Sequence, residues 1–411
     1  MAVIRPFCAL RPTPANAAAV AAVPYDVVST KEARELASGN PLSFLHVSRA
    51  EIDLPDDTDP YDQKVYDQAT RNLEMLVSTA PLVVESEPSL YVYRLRTNDH
   101  EQTGIAGCFS LDEYDRNIVK RHERTRPDKE DDRTRHMLAL GAQTGIVFLT
   151  YRAKDVIEGL TTNNMSPEPL ADIVAPDGVQ HTVWRMSPND ADNIVAAFAE
   201  VASIYIADGH HRIASAARAR DELGDPDPVS KSRYFLGVAF PDTSTRILPY
   251  NRTVADLAGQ TVEEFLTSLG SSFPITQNGS PEPQKGQVSM YVSGTWYGID
   301  FDPLRSKIRA EGEGLVKQLD VAILQEHLLA PLLNVKDIRT DPRVAFVGGS
   351  RGTTALVQAV ESGAAEVAFS LAAVAPSELL AISDAGDIMP PKSTWFEPKL
   401  RDGLLTHRFL S

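Results

Sequence analysis

The residues best placed to do chemistry stand in the stretch IYIADGHHRIASAAR, from Ile204 to Arg218. An apolar, β-branched run leads straight into Asp208, Gly209, His210, His211 and Arg212, and an Ala-rich helical pattern follows at once. Gly209 permits positive φ or close backbone approach at such a turn. The start of the helix offers unpaired N–H groups and the positive end of its dipole. Arg212 adds a forked cation, and the histidines add donors or, when neutral, metal-ligand capacity. Together these groups make a compact phosphate cradle. Asp208 can cap the helix, hold Mg²⁺ or accept a proton. The plainer alternative is a capped helix with packed histidines. A zinc site is the weaker reading, because adjacent histidines point to different faces of a helix.

A second cluster lies in KRHERTRPDKEDDR, where His122, Glu123, Arg124 and Arg126 precede a charged helix carrying Asp131, Asp132 and Arg133. Carboxylates for a metal or an attacking hydroxyl, with arginines for developing charge, are the mixture phosphoryl transfer needs. A solvated, salt-bridged face is the alternative. The C-terminal MPPKSTWFEPK offers Lys392 and Ser393 as phosphate contacts on a proline-stiffened loop, or else a rigid tail with packed aromatics. VGGSRG could form an anion-binding nest. Pro24, Tyr25 and Asp26, with His46 and Arg49, read as loop anchors, with the lining of a pocket as the alternative.

These motifs sit in a chain of 411 residues, long enough for two or three cores. A net charge of −16 and the lack of Lys/Arg tracts argue against nucleic acid as the main partner. Two cysteines are too few for a disulfide framework. The opening MAVIRPFCALRPTP lacks a secretory apolar core, and no run approaches a membrane span, so the expected compartment is the cytoplasm.

Periodicity predicts a helix over residues 59–77, strands over 89–96 and 103–111, and a strand before the Asp208 turn. The pattern shifts after Asn251. The reading is α+β or mixed α/β, with domains at 1–255 and 256–411, the second including the terminal PPKSTWFEPK loop.

The ADGHHR motif is similar to the phosphate-handling motif of the ParB/sulfiredoxin-like fold, which is found also in free-serine kinases of archaea and of siderophore pathways. Over almost its whole length the chain resembles the uncharacterised prokaryotic family catalogued as domain of unknown function 1015. The motifs that carry this are VPYDVVS, PLSFLHVSRAE, KRHERTRPDKEDDR, ADGHHR, LPYNR, LDVAILQEHLL with DPRVAFVGG, and MPPKSTWFEPKLRDG, in that order. The kinase likeness rests on the short motif alone. In those kinases a Glu upstream acts as base with the motif Asp nearby, but no residue of this longer chain aligns with that Glu.

The resemblance implies transfer of phosphate from ATP or ADP to a small hydroxyl metabolite. Asp208, Gly209, His211, Arg212 and Arg124 would hold phosphate, and Asp208 the Mg²⁺ that polyphosphate chemistry calls for. For the base, the chemistry of the second cluster offers Glu123, with Asp208 as the alternative, assisted by His210. A nucleotide or phosphoester hydrolase and a non-catalytic nucleotide sensor are the alternatives.

Overall fold

The computed structural model describes residues 1–79, 81–225 and 227–410 of the chain. The fold is mixed α/β and divides into two compact units, residues 1–245 with 398–411 and residues 246–397. The sequence pattern places the boundary at 255, with the whole tail in the second part. Residues 398–411 instead return to the first unit, because the tail pairs there: Thr406–Arg408 runs antiparallel to Ala9–Pro12 and to Ala142–Gln143.

A nine-stranded mixed sheet organises the first unit. In chain order its strands are β1 (Ile4–Arg5), β2 (Tyr91–Arg96), β3 (Glu101–Ser110), β4 (Val119–Lys120), β5 (Val147–Tyr151), β6 (Ala171–Val174), β7 (Gln180–Arg185), β8 (Ile204–Asp208) and β9 (Tyr234–Pro241). They lie in the order β4-β8-β5-β9-β3-β2-β7-β6, with β1 also paired to β3. β8 is parallel to β4 and antiparallel to β5. Its run Ile204, Tyr205, Ile206 and Ala207 is buried throughout, which explains why it reads as continuous apolar sequence rather than as an alternation.

Three helices bear on the site: α1 (Gln63–Ser78), α2 (Pro127–Leu140) and α3 (His210–Leu223). α1 starts at an Asp62 cap and buries Val65, Ala69, Leu73 and Leu76, the face its periodicity predicts. α2 begins at Pro127 and ends at Gly141, whose φ of 59° closes the helix in the left-handed region. The small residues Ala214, Ser215, Ala216, Ala217 and Ala219 are buried on α3, so α2 packs closely against it. Ser215 Oγ donates to the Glu130 carbonyl at 3.1 Å, and Arg218 bridges Asp131 at 2.6 Å. The charged run of α2 is therefore partly a packed interface.

A six-stranded sheet builds the second unit, in the order Ile275–Gln277, Thr295–Asp300, Gln287–Val292, Val367–Leu371, Tyr250–Val254 and Val344–Gly348. Arg246–Leu248 and Trp395–Glu397 pair as a separate two-stranded ribbon. No helix among the described residues is long and apolar enough to cross a membrane.

Candidate functional site

β8 delivers the chain to its turn through an irregularity: its register against β5 shifts between Ile206 and Asp208. Such a bulge bends a strand and re-aims its last side chains. Gly209 then takes φ 97°, a conformation that L side chains rarely adopt, and α3 starts at His210 without any side-chain cap. A Cβ at position 209 would stand 3.2 Å from Cδ of Arg212. Both the backbone angle and the packing therefore call for glycine here.

The structure places Arg212 differently from a phosphate ligand turned to solvent. Its side chain is 3% exposed and forms a forked pair with Asp26, at 2.8 and 2.9 Å, while Nη1 donates to the Ile146 carbonyl at 2.6 Å. The guanidinium also lies 5.6 Å from the Tyr25 ring centre, with Arg133 at 4.4 Å from the same ring. Burial opposes a charge on Arg212, but Asp26 and Asp208 reverse this and raise its affinity for the proton. Arg212 is a permanently charged clamp between the Pro24-Tyr25-Asp26 segment and the α3 turn. That role follows from a pairing 186 positions apart, which the local motif could not reveal.

Asp208 accepts a hydrogen bond from Lys399 Nζ at 2.7 Å. Burial alone would raise its carboxyl, yet Lys399 and Arg212 together hold it far below the usual carboxylate range. Lys399 comes from the returning C-terminal segment and is the last residue of the MPPKSTWFEPK motif. The motif holds two lysines, and its spacing alone points to Lys392 rather than Lys399. Lys392 and Ser393 lie in the second unit, where Lys392 sits 5.5 Å from the Tyr250 ring centre and Ser393 Oγ donates to the Pro390 carbonyl.

The loop of residues 121–126 folds onto the same turn. Glu123 Oε2 is 3.9 Å from His210 Nδ1, with the Glu123 side chain 40% exposed. The backbone N–H of His122 donates to His210 Nε2 at 3.4 Å, and that of Arg126 donates to His211 Nε2 at 3.0 Å. Both imidazoles accept through Nε2, so the proton of a neutral ring belongs on Nδ1. The rings of His122 and His210 meet edge to face at 4.4 Å. Burial, with His122 adding to it, pushes His210 well below the ordinary value, and burial brings His122 down to about 4. Both are neutral at pH 7. His210 is thus buried against Glu123 and acts as its positioning partner. Arg124 is exposed and makes no ion pair among the described residues.

One further acid was not foreseen. Asp402 is 2% exposed, and its Oδ2 has no hydrogen-bond partner. Burial pushes it up to about 7 despite Arg212, and Asp26 adds to the rise. It stands in the terminal KLRDG run, where nothing in the spacing marks it. A resident metal does not fit: among the described residues no three His, Cys, Asp or Glu side chains are grouped to hold one. Asp208, the expected ligand, is instead engaged by Lys399.

The family model described as "Protein of unknown function (DUF1015)" matches residues 4–322. The chain belongs to this family. The DUF1015 match contains Asp26, Glu123 and residues 208–212 and ends before Lys399 and Asp402. No curated protein matches the sequence. Among solved structures, the chain is similar to a free serine kinase in complex with AMP, at 12% identity and a TM-score of 0.37, over 76% of this chain and 94% of that one. It is also similar to SbnI with a C-terminal truncation from Staphylococcus aureus, at 12% identity and a TM-score of 0.39, over 72% and 85%. A conserved hypothetical protein from Pyrococcus furiosus gives 14% identity and a TM-score of 0.36, over 74% and 94%. Likeness at this level assigns no activity to the DUF1015 chain.

Proposed function

We propose that the first unit transfers a phosphoryl group from a nucleoside polyphosphate, ATP or ADP, to the hydroxyl of a small metabolite such as a free hydroxyamino acid. The observation that carries this reading is the unequal state of two carboxylates at one uncapped helix start. Asp208 is tied to Lys399 at 2.7 Å and held strongly ionised, so it is a poor proton acceptor. Glu123 is partly exposed and set 3.9 Å from a neutral His210, where a substrate can reach it. Of the two acids considered as base, Glu123 is therefore the better one.

In the proposed reaction the hydroxyl oxygen attacks the terminal phosphorus, and the bond from that phosphorus to its bridging oxygen breaks. The shortened nucleotide leaves with the bond's electron pair, and the hydroxyl proton passes to Glu123. The helix start at Gly209 and His210 and the exposed Arg124 meet phosphate oxygens, where backbone N–H groups and a cation stabilise charge without reorganising. Lys399 keeps Asp208 from repelling that charge. Arg212 acts on the site by holding the Asp26 segment against it. Mg²⁺ enters as part of the nucleotide that the site receives, and no step is assigned to a resident ion.

The test is incubation with ATP or ADP, Mg²⁺ and a panel of hydroxyl metabolites, followed by ³¹P NMR. A new phosphomonoester is the expected product. Inorganic phosphate formed equally with and without acceptor would make the protein a hydrolase, and nucleotide binding without turnover would make it a sensor. Either result overturns the transfer reading.

A further inference from the structure

Four arginines among the described residues are buried: Arg212, Arg252, Arg305 and Arg401. Three have carboxylate partners, namely Asp26 for Arg212, Asp320 for Arg305 and Asp177 for Arg401. Arg252, in the second unit, is 1% exposed and has none among the described residues. Its Nη1 donates to the Tyr250 carbonyl at 2.5 Å, and Nη2 to the carbonyls of Pro391 and Lys392 at 3.2 and 3.1 Å. Its buried Nε has no hydrogen-bond partner. Neutral carbonyls satisfy N–H groups but leave a full charge uncompensated, and a buried charge in that state is costly. Burial accordingly pulls Arg252 down to about 9, still a cation at neutral pH.

Arg252 lines a cavity of about 20 Å³ together with Tyr250, Lys285, Asp320, Glu378 and Ser393. Two of the charges there are already matched. Lys285 pairs with Glu378 at 2.5 Å, and Asp320 pairs with Arg305. The hydroxyl of Tyr250 has no hydrogen bond to another described residue, so it remains available as a donor. Arg252 is therefore the one cation of the wall without a carboxylate partner among the described residues, and it offers at least one unused N–H beside the unused O–H of Tyr250, in a space that accepts a single small group.

We propose that this cavity is a binding site for a small oxyanion of the phosphate type, with Arg252 as its counter-charge and Tyr250 as a second donor. Lys285 stands at the rim, 54% exposed, where Glu378 holds it. The site is separate in its residues from the phosphoryl-transfer site of the first unit and does not depend on it.

The experiment is a titration of the ¹⁵N-arginine-labelled protein with inorganic phosphate at fixed ionic strength, read at the Arg252 Nε–H resonance. Arg252→Lys assigns that resonance by deleting it. If this variant fails to fold, Tyr250→Phe assigns it by selective displacement. A saturable shift at Arg252 is expected, with affinity about tenfold weaker in Tyr250→Phe, the loss of the second donor. Reading at Arg252 keeps phosphate bound elsewhere from being counted. An unmoved resonance overturns the proposal. So does an unsaturated drift that chloride reproduces, which would mean an adventitious ion only.

Discussion

Arg212 and Arg252 are both withdrawn from solvent, and the two units treat them in opposite ways. Arg212 receives a forked carboxylate at 2.8 and 2.9 Å, whereas Arg252 receives only carbonyl oxygens. A paired buried cation is locked in place, since moving it would strand two charges at once. An unpaired one retains an attraction for any anion that reaches it. The first arrangement builds a rigid support beside the turn after β8, and the second sets a buried cation in the wall of a cavity. The same residue type thus serves as scaffold in one unit and as bait in the other.

The largest effect that would sharpen this contrast lies at the carboxylate that the Arg212 scaffold serves. Glu123→Gln keeps the shape and removes the basicity, so turnover should fall by about 10² to 10⁴, the usual share of a general base. Nucleotide affinity by calorimetry should stay within a few fold. Unchanged turnover would remove Glu123 from the reaction.

Asp26→Asn strips Arg212 of its counter-charge and should lower stability by about 2 kcal/mol in urea denaturation. Breaking a fully buried pair costs about 3 to 5 kcal/mol, and the loss is discounted here because the Asp26 side chain is 37% exposed. A variant as stable as the parent would show that Arg212 tolerates isolation as Arg252 does, and the comparison would collapse.

Asp402 gives a pH test of the same cluster. With its folded pKa raised from 3.8 to about 7, the folded state keeps a proton that the unfolded chain has already released between those values. Its contribution to stability therefore falls as pH rises through that window and stays low above it. Asp402→Asn lacks this loss, so the stability of the variant relative to the parent should climb between pH 4 and 7, by on the order of 1 to 3 kcal/mol. The buried histidines, such as His122, His136 and His407 at about 4, act in the opposite direction. They are common to both proteins and cancel in the difference. A pH-independent difference would refute the raised carboxyl.

The smallest effect belongs to the loop that Arg252 holds by its carbonyls. Lys392 has φ 55°, where glycine is favoured over a residue with a Cβ. Lys392→Gly should therefore raise the midpoint of thermal unfolding slightly, equivalent to about 0.5 kcal/mol. A drop of more than about 1 kcal/mol would mean that the Lys392 side chain, lying over Tyr250, matters more to the loop than its backbone does.

Much of this protein was determined by residues close together in sequence. An apolar run, a glycine and an Ala-rich helix dictated the β8–α3 turn, because φ at Gly209 and the two periodicities are local properties. The helix of residues 63–78 and the hairpin of β2 and β3 were legible for the same reason. The contact of Glu123 with His210 is supplied by the fold through β4, which runs beside β8 and releases the chain at residue 121. What the tertiary structure alone decided is the partner of each charge. Asp26 lies 186 positions from Arg212, and Lys399 lies 191 from Asp208. Arg252, by contrast, meets no carboxylate among the described residues. An isolated motif states which charges exist. Whether each is neutralised, buried or left to a ligand depends on which distant segments the sheet order and the returning tail bring alongside, and no local spacing encodes that.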